Sequence, residues 1–248
     1  MRPETKPRTL PQTGGVQGLR SPATDREIPV YFGLSGSDTR TLARTLDRMR
    51  SWGATGDLIS CPYYTRSSQR GLLAHFSALS DSTDRPILVY NIPYRTGVNL
   101  GNETMFQLAE RANIVGVKDC CADAAQSFDL IRQKPAQFAV LTGEDSHYYI
   151  ALAQGADGGI LVSAHVQPTG LATIRGKLLG GIRAGALADW AHLADLPRLL
   201  FAEPNPGAVK HWLWRAGLID SPEMRLPIAP VSAELAARIE KAMPAYGG

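Results

Sequence analysis

Six short apolar runs, at residues 28–32, 57–61, 86–91, 114–118, 138–142 and 159–163, recur at intervals of about 20 to 30 residues. Each has strand length and is rich in β-branched residues, and helical patterns lie between them. Residues 39–52 carry Leu42, Leu46 and Met49 at helical spacing, 69–82 repeat the pattern, and 99–113 place Phe106, Leu108 and Ala109 on one side. A series of strand, loop and helix units predicts an α/β fold with a parallel sheet under a helical layer. Parallel strands point the same way, so their carboxyl ends gather along one edge. Past residue 163 the strand pattern stops, and 169–183, 188–201, 207–216 and 232–243 read as helices. The first of these contains Gly170, Gly176, Gly180 and Gly181. Each costs about 1 kcal/mol relative to alanine inside a helix, so close packing against a neighbour is expected there.

Residues 1–27 carry Pro3, Pro7, Pro11, Pro22 and the pair Gly14-Gly15 with few apolar side chains, a composition that cannot offset its ordering entropy. They read as a disordered or loosely attached tail, and the prolines exclude the amphipathic helix of a transit peptide. The expected organisation is this tail, a partial β/α barrel over 28–166, and a final barrel helix with a helical extension over 167–248. An eight-stranded barrel needs two units before residue 28, so six units alone fit either an open sheet or a barrel whose first quarter lies outside these residues. The net charge of +3 is mild and the basic residues are scattered, which argues against nucleic acid as a partner. No apolar run approaches the ~18 residues of a membrane span and no signal-peptide core follows the first methionine, so the expected location is the cytoplasm. Cys61, Cys120 and Cys121 have neither CxxC spacing nor a framework pattern, and neither a disulfide nor a metal site is expected.

Two runs end in reactive side chains. The run from Ile87 closes on Tyr90, and the run from Ile114 closes on Lys118. Burial among apolar neighbours favours the free amine of a lysine, which can attack a carbonyl to give a Schiff base. A phenol on the preceding strand can protonate the departing hydroxyl of the carbinolamine. Arg95 follows Tyr90 in a loop, and a guanidinium binds a carboxylate bidentately. No GxSxG elbow, HExxH helix or GxxxxGK[ST] loop occurs, and the five histidines form no ligand pair.

The string YNIPYRTG around Tyr90, VGVKD around Lys118 and TGEDSHYYIALAQGADGGILVSAH from Thr142 resemble the pyruvate-dependent class I aldolases of the dihydrodipicolinate synthase and N-acetylneuraminate lyase superfamily. Cys61-Pro62-Tyr63-Tyr64, Ser68, Gly71 and Glu203-Pro204-Asn205-Pro206 extend the likeness over about 27–238. The resemblance implies a (β/α)8 barrel of the TIM type, here about six units, and a Schiff base between Lys118 and pyruvate with no cofactor and no metal. It implies that Tyr90 relays protons, that Tyr64 reaches a neighbouring subunit's site in a dimer or tetramer, and that Gly143 and Ile160 line the pyruvate pocket. Arg95 would meet the carboxylate of the second substrate, which favours the synthase branch and aspartate semialdehyde. A sugar-acid aldolase, or an inactive paralogue that serves in binding or oligomerisation, are the alternatives. His165 stands where the family has asparagine and reads as a packing residue. The family's Gly-Thr-Thr-Gly-Glu segment, which holds the pyruvate carboxylate and links the tyrosines, does not occur in these 248 residues. The expectation is therefore an unstable or self-associating chain with weak synthase activity when expressed alone.

Overall fold

The computed structural model describes residues 28–247, so the tail expected over residues 1–27 lies outside the described residues. The chain divides into two compact units, one ending at Gly116 and one beginning at Val117. Strand order follows chain order, β1-β2-β3-β4-β5-β6, with β4 running from one unit into the next. Among the described residues no helix is long and apolar enough to cross a membrane.

In the first unit, β1 (Tyr31–Leu34), α1 (Thr39–Arg48), β2 (Gly56–Ser60), α2 (Gln69–Asp81), β3 (Ile87–Asn91), the short α3 (Pro93–Thr96) and α4 (Asn102–Ala109) lead into β4 (Ile114–Asp119). The strands are parallel, with Tyr31 opposite Gly56 and Ser60 opposite Tyr90. α1 starts where Asp38 accepts the Arg40 N–H at 3.0 Å, and Leu42 and Leu46 are buried one turn apart. α2 starts at Ser68, whose hydroxyl accepts the Gly71 N–H at 3.3 Å, and it buries Leu72, Phe76 and Leu79. The expected first strand, 28–32, is displaced to Tyr31–Leu34. Pro29 has no N–H to give, and the ladder opens only where the Val30 carbonyl accepts from Thr55 at 2.8 Å. At the amino end of β2 the fully buried Asp57 takes both forks of Arg85, at 3.0 and 2.9 Å. Burial raises the Asp57 carboxyl above its ordinary range, and the guanidinium acts against that rise.

The second unit carries the end of β4, then α5 (Ala124–Gln133), β5 (Ala139–Thr142), α6 (Tyr148–Ala153), β6 (Gly158–Gly159), α7 (Pro168–Leu179), α8 (Arg183–Leu193), α9 (Asp195–Leu200), α10 (Gly207–Arg215) and α11 (Ala233–Ala242). Two apolar clusters stabilise it. One packs Tyr148, Leu152, Leu161, Leu171 and Ile174 against Ala186 and Leu193, and the other gathers Leu196, Leu200, Val209, Trp212, Leu235 and Ile239. The helix expected over 188–201 is two, α8 and α9, which meet at Ala194. Pro197 lacks an N–H and its ring crowds the carbonyl four residues back, so the first helix stops there. Of the α7 glycines, Gly170 packs closely, since a Cβ there would lie 3.1 Å from a Leu193 methyl, whereas Gly176 has open space. Gly180 and Gly181 lie past the helix end, with Gly181 in the left-handed region at φ 76°.

The last strand differs most from the sequence reading of 159–163: it spans Gly158–Gly159 only, and residues 163–165 form a 3₁₀ turn. The Asp145 carboxylate takes the backbone N–H of Val162 at 3.1 Å and both the N–H and hydroxyl of Ser163 at 2.5 and 2.6 Å. Those amides are thereby drawn out of the ladder, which ends with the Ile160 N–H on the Thr142 carbonyl at 2.9 Å.

Candidate active site

In the first unit Tyr90 is the fourth residue of β3. Val89 and Asn91 on either side are buried while Tyr90 is half-buried, so the phenol projects from the opposite face to theirs. Its backbone is held on both flanks: the Tyr90 carbonyl accepts the Cys61 N–H at 3.1 Å, and the Asn91 side chain accepts the Leu100 N–H at 3.1 Å and donates to Asn99 at 2.9 Å. Burial pushes the Cys61 thiol up to about 12, which makes it an inert core residue.

Arg95 lies exposed on α3 with its guanidinium 5.8 Å from the Tyr94 ring centre. Tyr64 sits in the loop after β2 with φ 72°, a left-handed conformation that costs a bulky residue about 1 kcal/mol or more. Two bonds impose it: the Tyr64 N–H donates to the Thr96 carbonyl at 3.1 Å, and Ser37 donates to the Tyr63 carbonyl at 2.6 Å. The ring is 91 % exposed. The Tyr64–Thr96 bond joins the loop of Tyr64 to the one that carries Arg95.

In the second unit the structure brings Lys118, Gly143 and Ile160 together. The Gly143 N–H donates to the Asp119 carbonyl at 2.8 Å, and Ile160 is bonded to Thr142, the residue before Gly143. A Cβ built on Gly143 would stand 2.5 Å from Lys118 Cε and 2.3 Å from Cys120 Sγ. The lysine side chain therefore runs across the bare backbone of Gly143, which explains the residue by space. If Lys118 is the reacting amine, Gly143→Ala is expected to lower turnover about a hundredfold, the usual effect of moving a reacting group by about 1 Å. Its stability should fall as well, because the buried Cys120 thiol at 2.3 Å has little room to move, so rates are compared at a temperature where the variant is folded. Steady-state rates beside a melting curve check this, and near-native turnover would show that the lysine tolerates displacement.

Tyr64, Tyr90 and Arg95 belong to the first unit, and Lys118, Gly143 and Ile160 to the second. His165, expected to pack, is exposed on its turn. Asp119 and Asp145, which hold the ends of β4 and β6, carried no signal of their own in the sequence. All three cysteines are buried.

Parallel strands alternating with helices place the chain among α/β folds of the barrel class. Residues 19–245 match the model of the dihydrodipicolinate synthetase family. A 4-hydroxy-tetrahydrodipicolinate synthase 2 of Clostridium acetobutylicum is 40 % identical over 214 residues, covering 86 % of this chain and 75 % of the relative. Among solved structures, dihydrodipicolinate synthase from Thermotoga maritima superposes with a TM-score of 0.85 at 32 % identity, covering 89 % of this chain and 76 % of that one. The chloride-inhibited enzyme from Acinetobacter baumannii complexed with pyruvate gives 0.84 at 32 % identity, covering 90 % and 76 %. The chain belongs to the dihydrodipicolinate synthetase family.

Proposed function

We propose that this chain condenses pyruvate, held as an imine on Lys118, with aspartate semialdehyde, the reaction of a 4-hydroxy-tetrahydrodipicolinate synthase in lysine biosynthesis. The observation that carries the reading is Lys118 at the end of β4, lying across Gly143 in a chain of this family. The Lys118 amine adds to the pyruvate ketone carbon, and the carbinolamine loses water to form the imine, with Tyr90 supplying the proton that leaves with the hydroxyl. Loss of a methyl proton gives an enamine, whose carbon attacks the aldehyde and forms the new carbon–carbon bond. The substrate's own amine then displaces Lys118 from the imine carbon, which closes a six-membered ring and frees the enzyme. Gly143 and Ile160 line the pocket for pyruvate, and Arg95 meets the carboxylate of the aldehyde. No metal or cofactor enters this scheme.

Tyr64 supports a homo-oligomer, a dimer or tetramer, because an exposed ring on a costly backbone is suited to a site on a neighbouring subunit. We assign the reaction to the cytoplasm, in keeping with a chain whose described helices are none of them long and apolar enough to cross a membrane.

The test compares aspartate semialdehyde with uncharged and sugar-derived aldehydes in the presence of pyruvate. Aspartate semialdehyde should give the highest kcat/KM, and Arg95→Ala should raise its KM about tenfold to a hundredfold, the worth of a charge-assisted hydrogen bond. A neutral aldehyde that turns over better, with no effect of Arg95→Ala, would reassign the second substrate.

A further inference from the structure

We propose that Asp119 and Ser127 are positioning residues for Lys118, acting from the far side of β4. The inference rests on the reading of Lys118 as the Schiff-base amine. Successive residues of a strand face opposite ways, so the Asp119 side chain leaves the sheet on the side away from Lys118. It is 6 % exposed. Its Oδ2 accepts the Ser127 hydroxyl at 2.6 Å, and its Oδ1 accepts the Cys121 N–H at 3.2 Å. Its backbone carbonyl accepts the Gly143 N–H at 2.8 Å.

One residue therefore ties together α5 through Ser127, the turn after β4 through Cys121, and the end of β5 through Gly143. Gly143 is also the surface across which Lys118 lies. A rotation of the chain at Asp119 would move the lysine and its support at once. Three hydrogen bonds, to a helix, to a turn and to the neighbouring strand's end, resist such a rotation together.

What surrounds Asp119 decides whether the grip matters. A cavity of about 110 Å³ opens on this side of β4, lined in part by Asp119, Ser127, Thr142 and Glu144, with Ile131 and Val140 among its apolar residues. In a tightly packed interior, loss of one hydroxyl would leave the carboxylate wedged in place. Here the carboxylate borders open space, and the bonds to Ser127 and Cys121 help to fix its orientation. Imine formation needs the amine within about 3 to 3.5 Å of the ketone carbon, so a small displacement is costly.

The test uses the full chain with Ser127→Ala, Asp119→Ala and Asp119→Asn. Measurements are the rate at which borohydride traps pyruvate on Lys118, kcat/KM for pyruvate, KM for the aldehyde and the melting curve. Asp119→Ala should slow trapping and lower kcat/KM for pyruvate about thirtyfold to a hundredfold, and Ser127→Ala about threefold to tenfold. Asp119→Asn should stay within about threefold of the unaltered chain, because its amide oxygen accepts from Cys121 and its NH₂ donates back to the Ser127 oxygen. KM for the aldehyde should not move in any of them. Ser127→Ala serves on its own should Asp119→Ala not fold. Trapping at the native rate in folded Ser127→Ala overturns the proposal, and so does an Asn variant as slow as the Ala variant, since charge and not geometry would then be at work. Failure of the unaltered chain to trap pyruvate at Lys118 strikes the underlying reading instead, and is seen before any variant is made.

Discussion

Replacing Lys118 by alanine is expected to abolish the pyruvate adduct that borohydride otherwise fixes on the chain, and synthase turnover with it. The other lysines of the described residues are poorly placed to compete. Lys134 is paired with Asp157 at 3.2 Å, and Lys177 with Asp189 at 2.6 Å. Each of those two side chains is engaged by its own carboxylate on a helix or loop, away from the strand that carries Lys118. Lys210 is bonded to the Glu223 carbonyl, and Lys241 lies on the exposed face of α11. Lys118 alone among them ends a strand. Peptide mapping of the reduced protein checks the assignment, and labelling at Lys177 or Lys210 that survives Lys118→Ala would sink it. The lysine is half-buried at the strand's end, so truncation should affect stability far less than chemistry.

Tyr90→Phe should lower turnover by about two to four orders of magnitude, the usual contribution of a positioned proton donor. The substitution keeps the ring and removes only the hydroxyl. Because β3 is held by the Cys61 N–H and by the buried Asn91 side chain, the phenyl ring should occupy the place of the phenol. The melting temperature should stay near that of the unaltered chain. The rate of imine formation, measured by trapping, should fall together with kcat, since the same hydroxyl serves both. Turnover equal to the unaltered chain would make Tyr90 a wall of the pocket and nothing more.

The parts of the fold that were legible in the sequence are those whose own residues decide them. β3, β4 and β5 fall within a residue of the apolar runs at 86–91, 114–118 and 138–142, because each run is buried and is bounded by residues that leave the ladder. α1 and α2 follow from apolar positions at helical spacing, Leu42 and Leu46 in the first and the repeated pattern over 69–82 in the second. The misjudged boundaries lie where a partner remote in sequence or a missing donor intervenes. Pro29 delays β1, Pro197 divides a helix, and Asp145 ends β6. The site divides in the same way. Lys118 and Tyr90 could be seen as reactive ends of apolar runs. Gly143 came from family likeness alone, since its reason is the lysine side chain that crosses it. Asp119 and Ser127, eight residues apart and on a strand and a helix, form no periodic pattern, so their pairing shows only once the chain is folded.

The ending of β6 has a consequence for where the position of Ile160 is stored. Both residues of that strand are glycines, with no side chain to tell one face of the sheet from the other. A strand of this kind cannot choose its own register, and a slip by one residue would turn Ile160 to the opposite face. The choice is made from a distance, by a carboxylate that grasps the backbone of Val162 and Ser163. The location of Ile160 is thus encoded at position 145, fifteen residues upstream of the side chain it places.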